Sequence, residues 1–149
     1  MASEVERAWV AGLMDGDGCV TLAGVGGAFR KPFVVVDSTD SEILAELQRL
    51  YGGSLVSKKK AKEHHRQAWS WRVYGSDKII SLLGDVLPYM RCDSKVRRAR
   101  MLTTEYKAIT PRNGKYTEEM RARKFEFESR FMAIGAGRGS QCRPAQAEG

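Results

Sequence analysis

Trp9-Val10-Ala11-Gly12-Leu13-Met14-Asp15-Gly16-Asp17-Gly18 decides the fold of this chain. Six residues without a charge are followed at once by two acids alternating with two glycines, so an apolar element ends by presenting carboxylates at its tip. The helix begins near Ser3, an N-cap candidate whose partner Glu6 lies three residues on and completes a capping box. From there Val5, Ala8, Trp9, Gly12, Leu13 and Gly16 share one helical face at the i, i+3, i+4, i+7 spacing. Two of the six are glycines, each costing a helix about 1 kcal/mol relative to alanine. Close approach of a second backbone is the usual compensation for small residues at this spacing. Val10, Ala11 and Met14 make the other faces apolar as well. The helix is therefore expected to pack on its own core on one side and on a second helix of its own kind on the other.

A second copy brings a second Asp17 to the same place. Abutting carboxylates repel unless a cation lies between them, and acid oxygens are the donors that Mg²⁺ prefers. At this point the sequence resembles a known family: VAGLMDGDG at residues 10 to 18 is similar to the LAGLIDADG motif of the homing endonucleases. Ala11, Gly12, Leu13, Asp15, Asp17 and Gly18 match, Val10 and Met14 are conservative changes, and Gly16 fills the small position. A bare D-G-D-G also occurs in calcium loops and turns. The apolar, glycine-bearing helix in front of it gives the match its specificity.

Composition agrees with a nucleic-acid partner. The 149 residues suit one domain, and 25 Lys+Arg against 18 Asp+Glu give a net charge of +7, which favours a polyanion. No apolar run approaches the roughly 20 residues needed to span a bilayer, and no secretory signal is visible. Cys19, Cys92 and Cys142 are odd in number and lack C-x-x-C spacing, which supports neither a disulfide framework nor a zinc site. A reducing, intracellular setting is expected, in cytoplasm, nucleoid or organelle.

Along the chain, Cys19 to Ala23 and Phe33 to Val36 read as two strands joined by a glycine-bearing loop. Asp17, Cys19, Thr21 and Ala23 then share one face, with Val20 and Leu22 on the other. Thr39 and Glu42 suggest a capping box for a second helix, which carries Ile43, Leu44, Leu47, Leu50 and Tyr51 and stops at Gly52-Gly53. Strands are expected over residues 54–60 and 67–74, the latter with Trp69, Trp71 and Val73 alternating with Ser70, Arg72 and Tyr74. Between them, residues 58–66 hold Lys58, Lys59, Lys60, Lys62 and Arg66, a candidate phosphate-contacting loop. His64 and His65 are adjacent rather than at a ligand spacing. Ser76 opens a third helix that Pro88 stops. The basic run 91–100, with Lys95, Arg97 and Arg98, leads into a fourth, and residues 117–134 form a final amphipathic helix. Residues 1–134 are read as a single domain and 135–149 as a disordered tail.

Helix, two strands, helix, two strands, helix is the order of the LAGLIDADG core, so the resemblance covers about residues 3 to 108. It implies an α+β fold, αββαββα with additional C-terminal helices, whose antiparallel sheet forms a DNA-binding saddle. One motif implies a homodimer, with Trp9, Gly12, Leu13 and Gly16 at the seam. The implied activity is divalent-metal-dependent double-strand cleavage of a long, pseudo-palindromic DNA site in intron homing. Asp17 of each protomer, with the Gly16 carbonyl, holds Mg²⁺ or Mn²⁺ in this reading; paired ions activate water and relieve charge on phosphate and leaving oxygen.

By the same resemblance, Asp37 occupies the position near the attacking water where the family commonly has Gln. Lys95-Val96-Arg97-Arg98-Ala99 resembles the family's Lys-x-x-Gln-Ala, making Lys95 the catalytic lysine. Two extra residues separate it from Pro88, however, and Arg98 replaces the Gln. Asp15 is read as a helix-end or interface residue. DNA-contacting positions are Thr21, Ser57, Lys58, Lys59, Arg66, Ser70, Arg72, Arg97 and Arg98, with Arg72 suited to a guanine edge. A cleavage-inactive DNA-binding regulator and a maturase binding its host intron RNA are the competing functions.

Overall fold

The computed structural model describes residues 1–24 and 29–135. Helix α1 runs Glu4–Asp17 and strand β1 Gly18–Ala23; β2 Lys31–Ser38 and α2 Ser41–Tyr51 follow. Strands β3 Ser54–Ser57 and β4 Trp69–Tyr74 precede α3 Ser76–Val86, α4 Asp93–Thr104 and α5 Glu118–Ala133. Short 3₁₀ turns at Leu87–Tyr89 and Lys107–Ile109 lead into and out of α4. The expected αββαββα order with C-terminal helices is thus the observed one. No helix among the described residues is long and apolar enough to cross a membrane.

The strands form one antiparallel sheet in the order β1-β2-β4-β3. Its register sets Val20 opposite Val34 and Val34 opposite Val73, and in the next line Cys19 opposite Val35, Val35 opposite Arg72 and Arg72 opposite Ser54. Alternate residues face opposite sides of a strand. One face therefore carries Val20, Leu22, Val34, Val36, Trp71 and Val73, all buried. The core on that face is completed by Val10, Ala11 and Met14 of α1, Leu44 and Leu47 of α2, and Ile79, Leu82, Leu83 and Val86 of α3.

Three local features fix this arrangement. The Ser3–Glu6 capping box forms in both directions, at 3.0 and 3.2 Å. Trp71 donates its indole N–H to Gly52 O at 2.8 Å, which ties the end of α2 to the middle of β4. The turn there needs glycine: Gly53 has φ +88°, and an added Cβ would lie 2.7 Å from Arg72 O, inside any tolerable contact. Finally, α4 and α5 lie beside β1, burying Leu102, Tyr106, Phe127 and Phe131.

Local readings need correction at several points. The Thr39–Glu42 box does not form: α2 starts one residue later than expected, with Asp40 as its N-cap and no side-chain cap bond, and Ser38 Oγ accepts the Asp40 N–H. β3 ends at Ser57 and β4 begins at Trp69, so the basic run belongs to a longer loop than expected. Cys92 is a free thiol. The tail reading lies outside the described residues, apart from its first position.

Candidate functional site

The acidic tip of α1 meets the start of α4. α1 has no basic residue in its own last turn, although the carbonyl end of a helix carries partial negative charge and favours a cation. Lys95 supplies that cation from α4: its Nζ donates to Met14 O at 3.0 Å and to Asp15 O at 2.8 Å. In return, the Asp15 carboxylate accepts the N–H groups of Arg91 and Cys92 at 2.8 and 3.0 Å. Each helix end thus satisfies the other's orphan backbone groups. The Cys92 thiol lies 3.7 Å from Ser94 Oγ, and that contact, with Lys95 nearby, holds its pKa below the usual range.

Asp17 is left exposed, as are Gly12 and Gly16. Val10, Ala11 and Met14 point into the core, while Val5 is 79% and Trp9 40% exposed on the opposite face. A Cβ placed on Gly12 or Gly16 would meet nothing within 4 Å. Nothing in the single chain uses the smallness of these two glycines.

The sheet face away from the core bears Thr21, Phe33, Val35, Asp37, Ser70, Arg72 and Tyr74 by register. Ser70 accepts from Arg72 Nε at 3.2 Å, so its buried hydroxyl aims the guanidinium. Asp37 sits in β2 opposite Ser70, and its carboxylate lies 2.7 Å from Lys58 Nζ. Lys59, Lys60, Lys62 and Arg66 are exposed on the adjoining loop.

The LAGLIDADG-like domain family matches residues 4–85, more than half of the chain. This chain belongs to the LAGLIDADG family.

Solved homing endonucleases share the fold of this LAGLIDADG chain at low identity. It is similar to the archaeal intron-encoded homing endonuclease I-Vdi141I, solved with DNA, at 14% identity and a TM-score of 0.67, covering 95% of this chain and 90% of that one. The homing endonuclease I-CvuI, solved with a DNA target in the presence of Mg and with the DNA uncleaved, matches at 16% identity and a TM-score of 0.63, covering 92% and 86%. I-LtrWI, bound to its target DNA, matches at 14% and 0.66, covering 87% of this chain and 45% of its own. Among curated proteins, none matches.

Three of the residues singled out from sequence stand differently in this LAGLIDADG structure. Ser57 lies opposite Trp69, which places it on the core-side alternation and not with Ser70 and Arg72. Thr21, 3% exposed, is buried. Arg98 turns inward, donating to Val20 O at 3.1 Å with its guanidinium 5.0 Å over the Phe131 ring. Desolvation lowers its pKa, and its buried Nε has no hydrogen-bond partner. Arg97 is exposed beside Asp93 at 3.9 Å.

The partners of Asp15, expected as a helix-end or interface residue, and the burial of Lys124 are what the sequence did not disclose. Spacing gives no sign that Asp15 reaches residues 91 and 92, far along the chain. Lys124 is 1% exposed within α5, its ammonium 3.8 Å from the Tyr106 ring centre and bonded to Thr110 Oγ1. Its place among Arg121, Arg123 and Glu126 looks like an ordinary solvated helix face. Only the packing of α5 reveals otherwise.

The donor set also bears on a metal. Among the described residues no three His, Cys, Asp or Glu side chains converge. Asp15 is committed to backbone N–H groups, so Asp17 is the free carboxylate at the tip. Mg²⁺ is usually held by one or two carboxylates together with water and phosphate oxygens. The oxygen donors at the α1 tip, the Asp17 carboxylate and the Gly16 carbonyl, fit a hard cation such as Mg²⁺ or Mn²⁺.

Proposed function

We propose that this chain is a homodimeric, site-specific endonuclease that hydrolyses both strands of a long, pseudo-palindromic DNA site with Mg²⁺ or Mn²⁺. The observation that carries the reading is the pairing on α1 of an exposed Asp17 with an outward apolar face whose glycines have open space before them. A two-fold contact along that face would bury Val5, Trp9 and Leu13, let the two backbones approach at Gly12 and Gly16, and bring two Asp17 carboxylates together. The DNA-bound states of the similar endonucleases support a DNA partner for the sheet.

In this reading each residue has a stated task. Asp17 from each protomer, with the Gly16 carbonyl, holds the cation, which when bound supplies activated water and neutralises charge at the phosphate. Lys95, anchored on the carbonyls of residues 14 and 15, holds its ammonium at the α1 tip, where negative charge grows on the phosphate being attacked. Asp37 orients water, with Lys58 balancing its charge at 2.7 Å. Arg72, steered by Ser70, reads a base edge with two donors, and Lys59, Arg66 and Arg97 contact phosphates without reading sequence.

Cleavage of a randomised duplex library with and without Mg²⁺, comparing wild type with Asp17→Asn, tests the reading. Metal-dependent cuts at one pseudo-palindrome that vanish in the variant are the expected result. Specific binding without cutting by the wild type would give the regulator instead, and preferential binding of intron RNA the maturase.

A further inference from the structure

α4 is basic on two sides, and of the second the nuclease reading uses Arg97 alone, leaving Arg100 without a task. A helix turns 100° per residue, so Lys95, Arg98, Ala99 and Leu102 fall on one side and Arg97, Arg100, Met101 and Thr104 on another. The first side faces the rest of the protein: Lys95 binds the end of α1, Arg98 binds β1, and Ala99 and Leu102 are buried. The second side, with the C-terminal turn of α5, walls a cleft of about 540 Å³ lined by Arg97, Arg100, Glu105, Arg130 and Ile134 among others. That volume lies in the range of about 300–1,000 Å³ usual for small-ligand clefts.

We propose that this α4–α5 cleft is a second nucleic-acid contact, binding a phosphodiester group apart from the cleavage centre. Three guanidinium groups from two helices converge there against one lining carboxylate, Glu105. Arg130 is paired with Glu105 at 2.7 Å, and Arg97 is only loosely paired with Asp93 at 3.9 Å on an exposed surface. Arg100 makes no ion pair among the described residues. The cleft thus keeps uncompensated positive charge on the side chain whose planar, forked donors match phosphate oxygens best. Thr104 adds no donor, because its hydroxyl is spent on Arg100 O at 2.7 Å. Met101 and Ile134 give an apolar floor suited to the sugar or base beside the phosphate.

The proposal rests on the nucleic-acid reading but not on cleavage, and its test separates the two. Fluorescence anisotropy of wild type and Arg100→Gln is measured against a random-sequence 30-bp duplex and a 30-nucleotide single-stranded RNA, each across a salt series. With one phosphate contact removed, the log Kd against log salt slope should fall by about one on the probe that fills the cleft. Affinity at low salt should fall severalfold, with the thermal melt unchanged. Loss on the duplex assigns the cleft to flanking DNA; loss on RNA alone assigns it to RNA. Equal slopes and affinities for both proteins on both probes overturn the proposal while leaving Asp17-dependent cleavage untouched. Conversely, a wild type that never cuts but still shows the Arg100 effect overturns the nuclease reading and keeps the cleft.

Discussion

Asp15 and Lys95 hold each other's helices: Lys95 Nζ donates to Asp15 O at 2.8 Å, and the Asp15 carboxylate takes the Arg91 and Cys92 N–H groups that introduce Lys95's helix. The cation and the acid do not meet as a side-chain ion pair. Each serves the other's backbone, so the distance from the α1 tip to Lys95 is set by four hydrogen bonds rather than by two long side chains. For Asp15→Ala we expect a loss of about 1–2 kcal/mol in urea unfolding, the size of a lost helix cap. Cleavage should fall in kcat with KM little changed, because Lys95 is displaced while the DNA-facing sheet is intact. A kcat equal to wild type would show that Lys95 is placed without Asp15.

Glycine spacing on α1 gives an unusual prediction about assembly. A methyl group at Gly12 has open space in the single chain, so Gly12→Ala should stabilise the isolated fold by up to about 1 kcal/mol through helix propensity. It should also weaken the proposed dimer, in which the added methyl would keep the two α1 backbones from approaching. Sedimentation equilibrium alongside thermal melts at low protein concentration reads both effects. Gly18 is the control: its added Cβ would lie 2.7 Å from Met14 Cα and 2.8 Å from Met14 O, so Gly18→Ala should destabilise the fold whether or not it dimerises.

Arg72 on the sheet and Lys59 on the adjoining loop should fail in different ways. Arg72→Ala is expected to cost about 1–3 kcal/mol on the preferred site and to relax selection at one base pair. Ser70→Ala should do the same more weakly, since it only aims the guanidinium. Lys59→Ala should weaken binding alike on all sequences and reduce the salt slope by about one. Selection from a randomised library with each variant distinguishes these outcomes.

Lys124 should leave a mark on the pH dependence of stability. Burial pushes its pKa down from 10.5 to about 8, against the attraction of Glu128. Between those values the unfolded chain binds the proton and the folded chain releases it, so this group makes stability rise with pH from about 8 to about 10.5. Below pH 8 the penalty is constant, at roughly 3 kcal/mol for a shift of that size. Lys124→Met should therefore raise the melting temperature at pH 7 and flatten its rise between pH 8 and 10. An unchanged profile would mean that the ammonium is solvated in the folded chain.

The sequence by itself determined the frame. Residues 10 to 18 marked the helix with its acidic tip, and the periodicities of 3.6 and 2 placed the helices and strands in the right order, because apolar pattern and local capping are properties of neighbours along the chain. Pattern also separated Val20 and Leu22 from Cys19 and Thr21 correctly, although Asp17, expected on the same strand face as Cys19, ends α1 instead. It erred at the helix boundary, as at Thr39, which lies one residue outside α2 while Asp40 takes the N-cap position without a side-chain bond.

Tertiary structure alone decided which basic residues remain available. Lys95, Arg97, Arg98 and Arg100 are near neighbours in sequence, yet one binds the end of α1, one stacks on Phe131, and two line a cleft with Arg130 of α5. The same holds for Ser57, moved to the core side by sheet register, and for Lys124, buried by the docking of α5. Charge and spacing say what a side chain can do; the surface against which its helix or strand packs determines whether it meets solvent, a carbonyl or an aromatic ring, and only long-range contacts set that surface.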